Sequence, residues 1–212
     1  MPPEMTNHCE TRTANAAPAL TQLQPFNEFR FNDCMAFLAE KHSRALSLYE
    51  MMKLHVMIDV YHTIAHGKPV IGGPIAAFTN GPVPRSSKSH IARWKKIYEQ
   101  SGQMPDGFLI EEHRDRLTFI PTQPPSRDDF SDAEIAAMDR AWTDVVYILD
   151  KDGDEEGWIA SQKYFHKDSF IGRAWEHARH HGTSLDWCRI LDEYKKDHQD
   201  ADIDGVKSLL CI

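Results

Sequence analysis

Between residues 48 and 65 apolar side chains cover nearly the whole circumference of a helix. Met51, Met52, Leu54, Val56, Met57, Ile58, Val60, Tyr61 and Ile64 leave only one narrow polar stripe. A helix that is apolar almost all round has no face left for water and belongs inside the fold. Its ends are marked as well. Ser47 and Glu50 form an S-x-x-E capping box, in which each side chain satisfies a backbone amide of the first turn. Gly67 followed by Pro69 stops the helix. The spacing predicts a central core helix from Leu48 to about Ala65.

Weaker periodicities flank it. Phe26, Phe29, Phe37 and Leu38 predict a first short helix ending near His42, and Pro74 can open another through Ile75 to Phe78. Asn80-Gly81-Pro82 breaks the chain there, and Pro84 keeps it extended. Ile91, Trp94, Ile97 and Tyr98 mark an amphipathic helix from Arg85 to Gln100, stopped at Gly102. Phe108-Leu109-Ile110 and Leu117 with Phe119-Ile120 surround a polar tip and predict a β-hairpin. A second capping box, Ser131 with Glu134, opens a helix to about Leu149. Shorter helices are expected over 158–165, 169–181 and 184–195.

The sum is a mainly α (α+β) fold: one helical domain, residues 25–196, around a buried central helix with one small β-hairpin. Residues 1–24 mix Pro, Thr, Asn and Ala without periodicity and read as a disordered N-terminal tail. Residues 197–212 read as an acidic C-terminal tail.

Composition narrows the function classes. Hydrophobic residues make up 41% of 212, enough for a real core, and no apolar run reaches the roughly 20 residues of a membrane span. The N-terminus lacks the pattern of a secretory signal. Cys9, Cys34, Cys188 and Cys211 are scattered, which fits reduced thiols in a cytoplasmic protein. A net charge of -8 argues against a general nucleic-acid binder. Against that background Arg85, Lys88, Arg93, Lys95 and Lys96 form a basic run with no acid from 85 to 98, a candidate partner surface. A solvated helix face is the plainer reading.

Candidate chemistry is sparse. His55, Asp59, His62 and His66 fall on one stripe of the core helix, and imidazoles with a carboxylate are what zinc or iron sites use. A buried helix also needs a polar stripe for hydrogen-bonding partners, and no HExxH adds a general base. Asp150, Asp152 and Asp154 open like a calcium loop, but Glu155 replaces the glycine at position six and Ser161 the glutamate at position twelve. No GxSxG elbow or Gly-rich phosphate loop is present. His177, His180 and His181 suit a helix C-terminus. The residues call for no catalytic site, metal or cofactor.

One ordered set of short motifs remains. It comprises Lys53-Leu54 and Asp59, then Gly67-Lys68-Pro69-Val70, then Gly81-Pro82-Val83, and finally His166 and Trp175. In order and spacing this set resembles the Panacea family, typified by the SocA antitoxin, over about residues 30–195. His55 and Val56 stand where that family usually carries apolar and aromatic residues. The resemblance implies a non-enzymatic, phage-associated antitoxin of the cytoplasm that binds and neutralises a toxin protein encoded nearby. In some members it implies an adaptor that delivers the toxin to a cytosolic protease. Two other readings stand beside it: a metal-dependent enzyme built on the His/Asp stripe, and a prophage or mobile-element accessory protein that binds host factors. Direct binding to nucleic acid is not expected, since residues 1–24 are too short and polar for an added helix-turn-helix.

Overall fold

The computed structural model describes residues 23–104, 107–113, 116–147, 159–180 and 184–210. The acidic loop at 150–157, most of the N-terminal tail, Cys9 and Cys211 lie outside these.

The core helix, here α2 (Leu48–His66), organises the rest. Glu50 through Thr63 are all buried, polar residues included. Both halves of the capping box form: Glu50 N–H donates to Ser47 Oγ at 3.3 Å, and Ser47 N–H to Glu50 Oε2 at 2.7 Å. Gly67 closes the helix in the left-handed region at φ 69°, where a Cβ would be strained. α1 (Glu28–Lys41) precedes α2 and packs against it, with the two-residue strand β1 (Leu46–Ser47) between them in the chain.

The segment after α2 departs from expectation. Residues 75–78 are not a helix. They form a strand, β2 (Ile75–Phe78), paired antiparallel with β3 (Gly81–Pro84) in the register Ile75↔Pro84 and Phe78↔Gly81. The two-residue turn Thr79-Asn80 leads into Gly81 at φ 98°, a conformation glycine adopts at little cost. Pro74 permits a helix start, but the Asn80-Gly81 turn and the contacts of the hairpin with α2 decide for strands.

α3 (Arg85–Ser101) follows directly and ends at Gly102 as expected. β4 (Phe108–His113) and β5 (Arg116–Pro121) form the hairpin read from sequence, with β1 added to its edge in the order β1-β5-β4. α4 (Asp132–Trp142) starts on its Ser131/Glu134 capping box and continues as a π-helical turn, Thr143–Tyr147. A short helix over 159–163 likewise widens into a π-helical turn, Tyr164–Asp168. Tyr61 of α2 and Tyr164 both donate to the Asp144 carboxylate and so tie the two π-helical turns together.

α5 (Phe170–His180) and α6 (Trp187–Asp197) complete the main body. The C-terminal segment, expected to be a tail, folds back as α7 (Ile203–Leu209) with Ile203 and Val206 buried. Its Leu209 side chain reaches Gly67 at the end of α2. Two apolar residues one helical turn apart are enough to dock it, since burial of each contributes about 1.5–3 kcal/mol.

Candidate functional site

Among the buried ionisable residues of α2, Lys53 and Asp59 are the two whose charge its apolar surroundings would reject most strongly unless they were satisfied. Each is 1% exposed. They do not pair with each other. Both grip the backbone of the segment that follows α2.

Lys53 Nζ donates to the carbonyls of Pro82 at 2.9 Å and Asn80 at 3.1 Å, on either side of Gly81. It also lies over the rings of Phe165 at 4.8 Å and Tyr49 at 5.3 Å. Burial pushes its pKa down to about 7. Both protonation states fit. A neutral amine has two N–H donors for two carbonyls, and an ammonium turns its third toward the aromatic faces.

On the far side of the turn the Trp175 indole N–H donates to the Phe78 carbonyl at 2.8 Å. The ring of His166 stacks on Trp175 at 4.2 Å and 13° and lies against Gly81. Burial, reinforced by the cations of Lys53 and Arg179 and opposed by the Asn80 backbone and Glu176, holds the His166 imidazole below its usual range. The motif residues Lys53, Gly81, Pro82, His166 and Trp175 therefore meet around one tight turn, although more than 120 positions separate the first from the last. The Phe78 side chain at the tip is 36% exposed, and Thr79 and Asn80 are exposed beside it.

Asp59 holds the other end of the segment. Oδ1 accepts from Val70 N–H at 2.9 Å and Ile71 N–H at 2.7 Å, and Oδ2 from Gly72 N–H at 2.7 Å and His55 Nε2 at 3.1 Å. Four donors fill the four lone-pair positions of the carboxylate. His55 Nε2 also faces the Gly72 carbonyl at 3.1 Å, so this nitrogen bears the proton. In the neutral imidazole Nδ1 then accepts from Ser87 Oγ at 2.5 Å.

Ser87, His55 and Asp59 thus form a chain in the order used by hydrolytic triads, but Ser87 and His55 are both 0% exposed. A nucleophile sealed in this way cannot meet a substrate. The chain fastens α3 to α2. Pattern reading had no means of singling out Ser87, one of several serines on a polar helix.

The His/Asp stripe divides in two. His55 and Asp59 are spent on the network just described. His62 donates from Nδ1 to the Lys68 carbonyl at 2.7 Å, and its ring stands 4.8 Å from that of exposed His66. This pair lines a polar cleft of about 590 Å³ together with Arg30, Lys68, Ser131 and Glu134. Arg30 and Glu134 pair with one another there at 2.5 Å. Among the described residues no three His, Cys, Asp or Glu side chains converge to hold a metal ion.

The basic run also divides. Arg93 bridges to Glu28 at 2.8 Å, and Lys95 to Glu99 at 3.5 Å. Arg85, Lys88 and Lys96 are exposed, and among the described residues no carboxylate bridges them. Trp94 packs in the core at 5.4 Å from Phe108, as its position in the amphipathic pattern implies.

Cys34 is buried, and burial pushes its thiol pKa up; Cys188 is half-buried and shifted the same way. Neither has the character of a reactive thiolate. Among the described residues no helix is long and apolar enough to cross a membrane. Compared with family models, curated proteins and solved structures, the chain matches none.

Proposed function

We propose that this protein is an antitoxin-like, protein-binding module of the cytoplasm, which neutralises a toxin encoded beside it by direct complex formation. One observation carries the reading. Five of the motif positions on which the Panacea resemblance rests, Lys53, Gly81, Pro82, His166 and Trp175, meet around a single hairpin turn and hold it with its tip exposed. A rigid loop on a packed scaffold suits recognition, because little ordering entropy is lost on binding.

A catalytic role draws less support. The Ser87–His55–Asp59 chain is sealed, and Asp59 has no lone pair left for a metal. Delivery of the captured toxin to a cytosolic protease rests on the resemblance alone.

The test is co-expression with the product of each adjacent open reading frame. Rescue of growth from a toxic neighbour, with co-purification of the two chains, is the expected result. Failure of both with every neighbour would sink the toxin-neutralising reading.

A further inference from the structure

Unpaired positive charge on this acidic chain is not spread evenly. Lys41, Arg44, Arg127, Arg173, Arg189, Lys195, Lys196 and Lys207 each meet a carboxylate within 4 Å. Among the described residues Arg85, Lys88 and Lys96 do not, nor do the exposed Lys68, Lys163, Lys167 and Arg179; but the first three stand together on one exposed stripe of α3, opposite the buried Ser87, Ile91 and Trp94.

Arg85 and Lys88 sit in the first turn of α3, where the helix dipole disfavours cations and no acid offsets them. The stripe runs into the hairpin tip: Lys88 Nζ lies 4.3 Å over the half-exposed Phe78 ring. On the other flank Arg179, also exposed, lies 5.3 Å over Trp175, the residue that holds the Phe78 carbonyl. Glu176 is the acid facing this flank, near His166.

The geometry points to a docking surface for an acidic segment of a partner protein. Its carboxylates meet Arg85, Lys88 and Lys96, and an apolar side chain covers Phe78. The inference rests on the protein-binding reading above and adds the face and the chemistry of the occupant. Charge complementarity selects that occupant. The net charge of -8 disfavours an acidic partner over the surface as a whole, and the three cations of this stripe offset it locally. Three free cations beside an aromatic anchor suit a protein contact, whereas a nucleic-acid backbone requires a longer basic track.

The test uses the full chain and whichever neighbouring gene product co-purifies with it. Arg85→Glu/Lys88→Glu/Lys96→Glu is compared with Lys68→Glu/Lys163→Glu/Lys167→Glu, which changes net charge equally at exposed, unbridged positions elsewhere. The first variant is expected to weaken binding about tenfold or more and the second hardly at all, with wild-type affinity falling as salt rises. All six positions lie at the surface, so both variants should melt with the wild type; Lys88→Glu alone supplies the readout should the triple variant not. Equal losses in the two variants, or none in the first, overturn the docking surface but leave the toxin-neutralising reading standing. Tighter wild-type binding to a short DNA duplex, lost in the first variant, also overturns it.

If no neighbouring product binds, the toxin-neutralising reading falls alone, and the surface is judged with poly-L-glutamate. Binding lost only in the first variant upholds it, and no binding overturns it.

Discussion

A Cβ placed on Gly81 would lie 2.7 Å from Lys53 Nζ, closer than a methyl group and an amine can approach. The glycine of the turn and the lysine of the core helix are therefore one device. The turn passes close enough for its carbonyls to take the amine because residue 81 has no side chain. Gly81→Ala meets both a left-handed φ of 98° and this collision. It should cost about 2–4 kcal/mol and lower the urea midpoint accordingly. An unchanged midpoint would show that the turn relaxes away from Lys53.

Lys53 also sets a pH dependence. Its pKa is about 7 in the folded chain, against about 10.4 when unfolded. Between these values the unfolded chain holds a proton that the folded chain has released, so stability rises with pH. Below about pH 7 both states are protonated, and burial of the cation costs its full amount. Urea unfolding should show wild-type stability rising by on the order of 2–4 kcal/mol from pH 7 to 10 relative to Lys53→Met. Parallel curves for the two proteins would contradict a buried, depressed lysine.

Asp59→Asn puts an N–H₂ where a carboxylate oxygen accepts backbone hydrogen bonds, leaving donors face to face. The expected loss is about 3–5 kcal/mol. Ser87→Ala removes only the donor to His55 Nδ1 and should cost about 1–2 kcal/mol. Denaturant midpoints check both. A larger effect for Ser87→Ala than for Asp59→Asn would mean that α3, and not the loop at 70–72, is the critical attachment.

Deletion of residues 203–212 removes the buried Ile203 and Val206 and bares the end of α2. Thermal unfolding should show a loss of about 2–5 kcal/mol. A melting temperature within a degree of the full chain would mean that α7 is only loosely laid on the body.

The helical frame was legible where local chemistry decides it. The boxes Ser47/Glu50 and Ser131/Glu134 place two helix starts, and Gly67 and Gly102 place two ends, because capping acts within one turn. Ile75-Ala76-Ala77-Phe78 misled for the opposite reason. Alanines tolerate either state, and the strand is chosen by partners distant in sequence, the Lys53 amine and the Trp175 indole. In the same way the stripe of His55, Asp59, His62 and His66 was visible as a face of α2. That three amides from residues 70–72 consume Asp59 depends on a loop path that helical periodicity does not encode. The small size of its apolar patch concealed the docking of α7.

Lys53 and Asp59 hold the hairpin segment through carbonyls, which every residue type supplies, and amide N–H groups, which all but proline supply. Apart from Gly81, the clamp is indifferent to which side chains the tip displays. Phe78, Thr79 and Asn80 can change without loosening the turn that presents them. Frame and display are separable here, and a chain so built can vary three exposed positions while its core stays untouched.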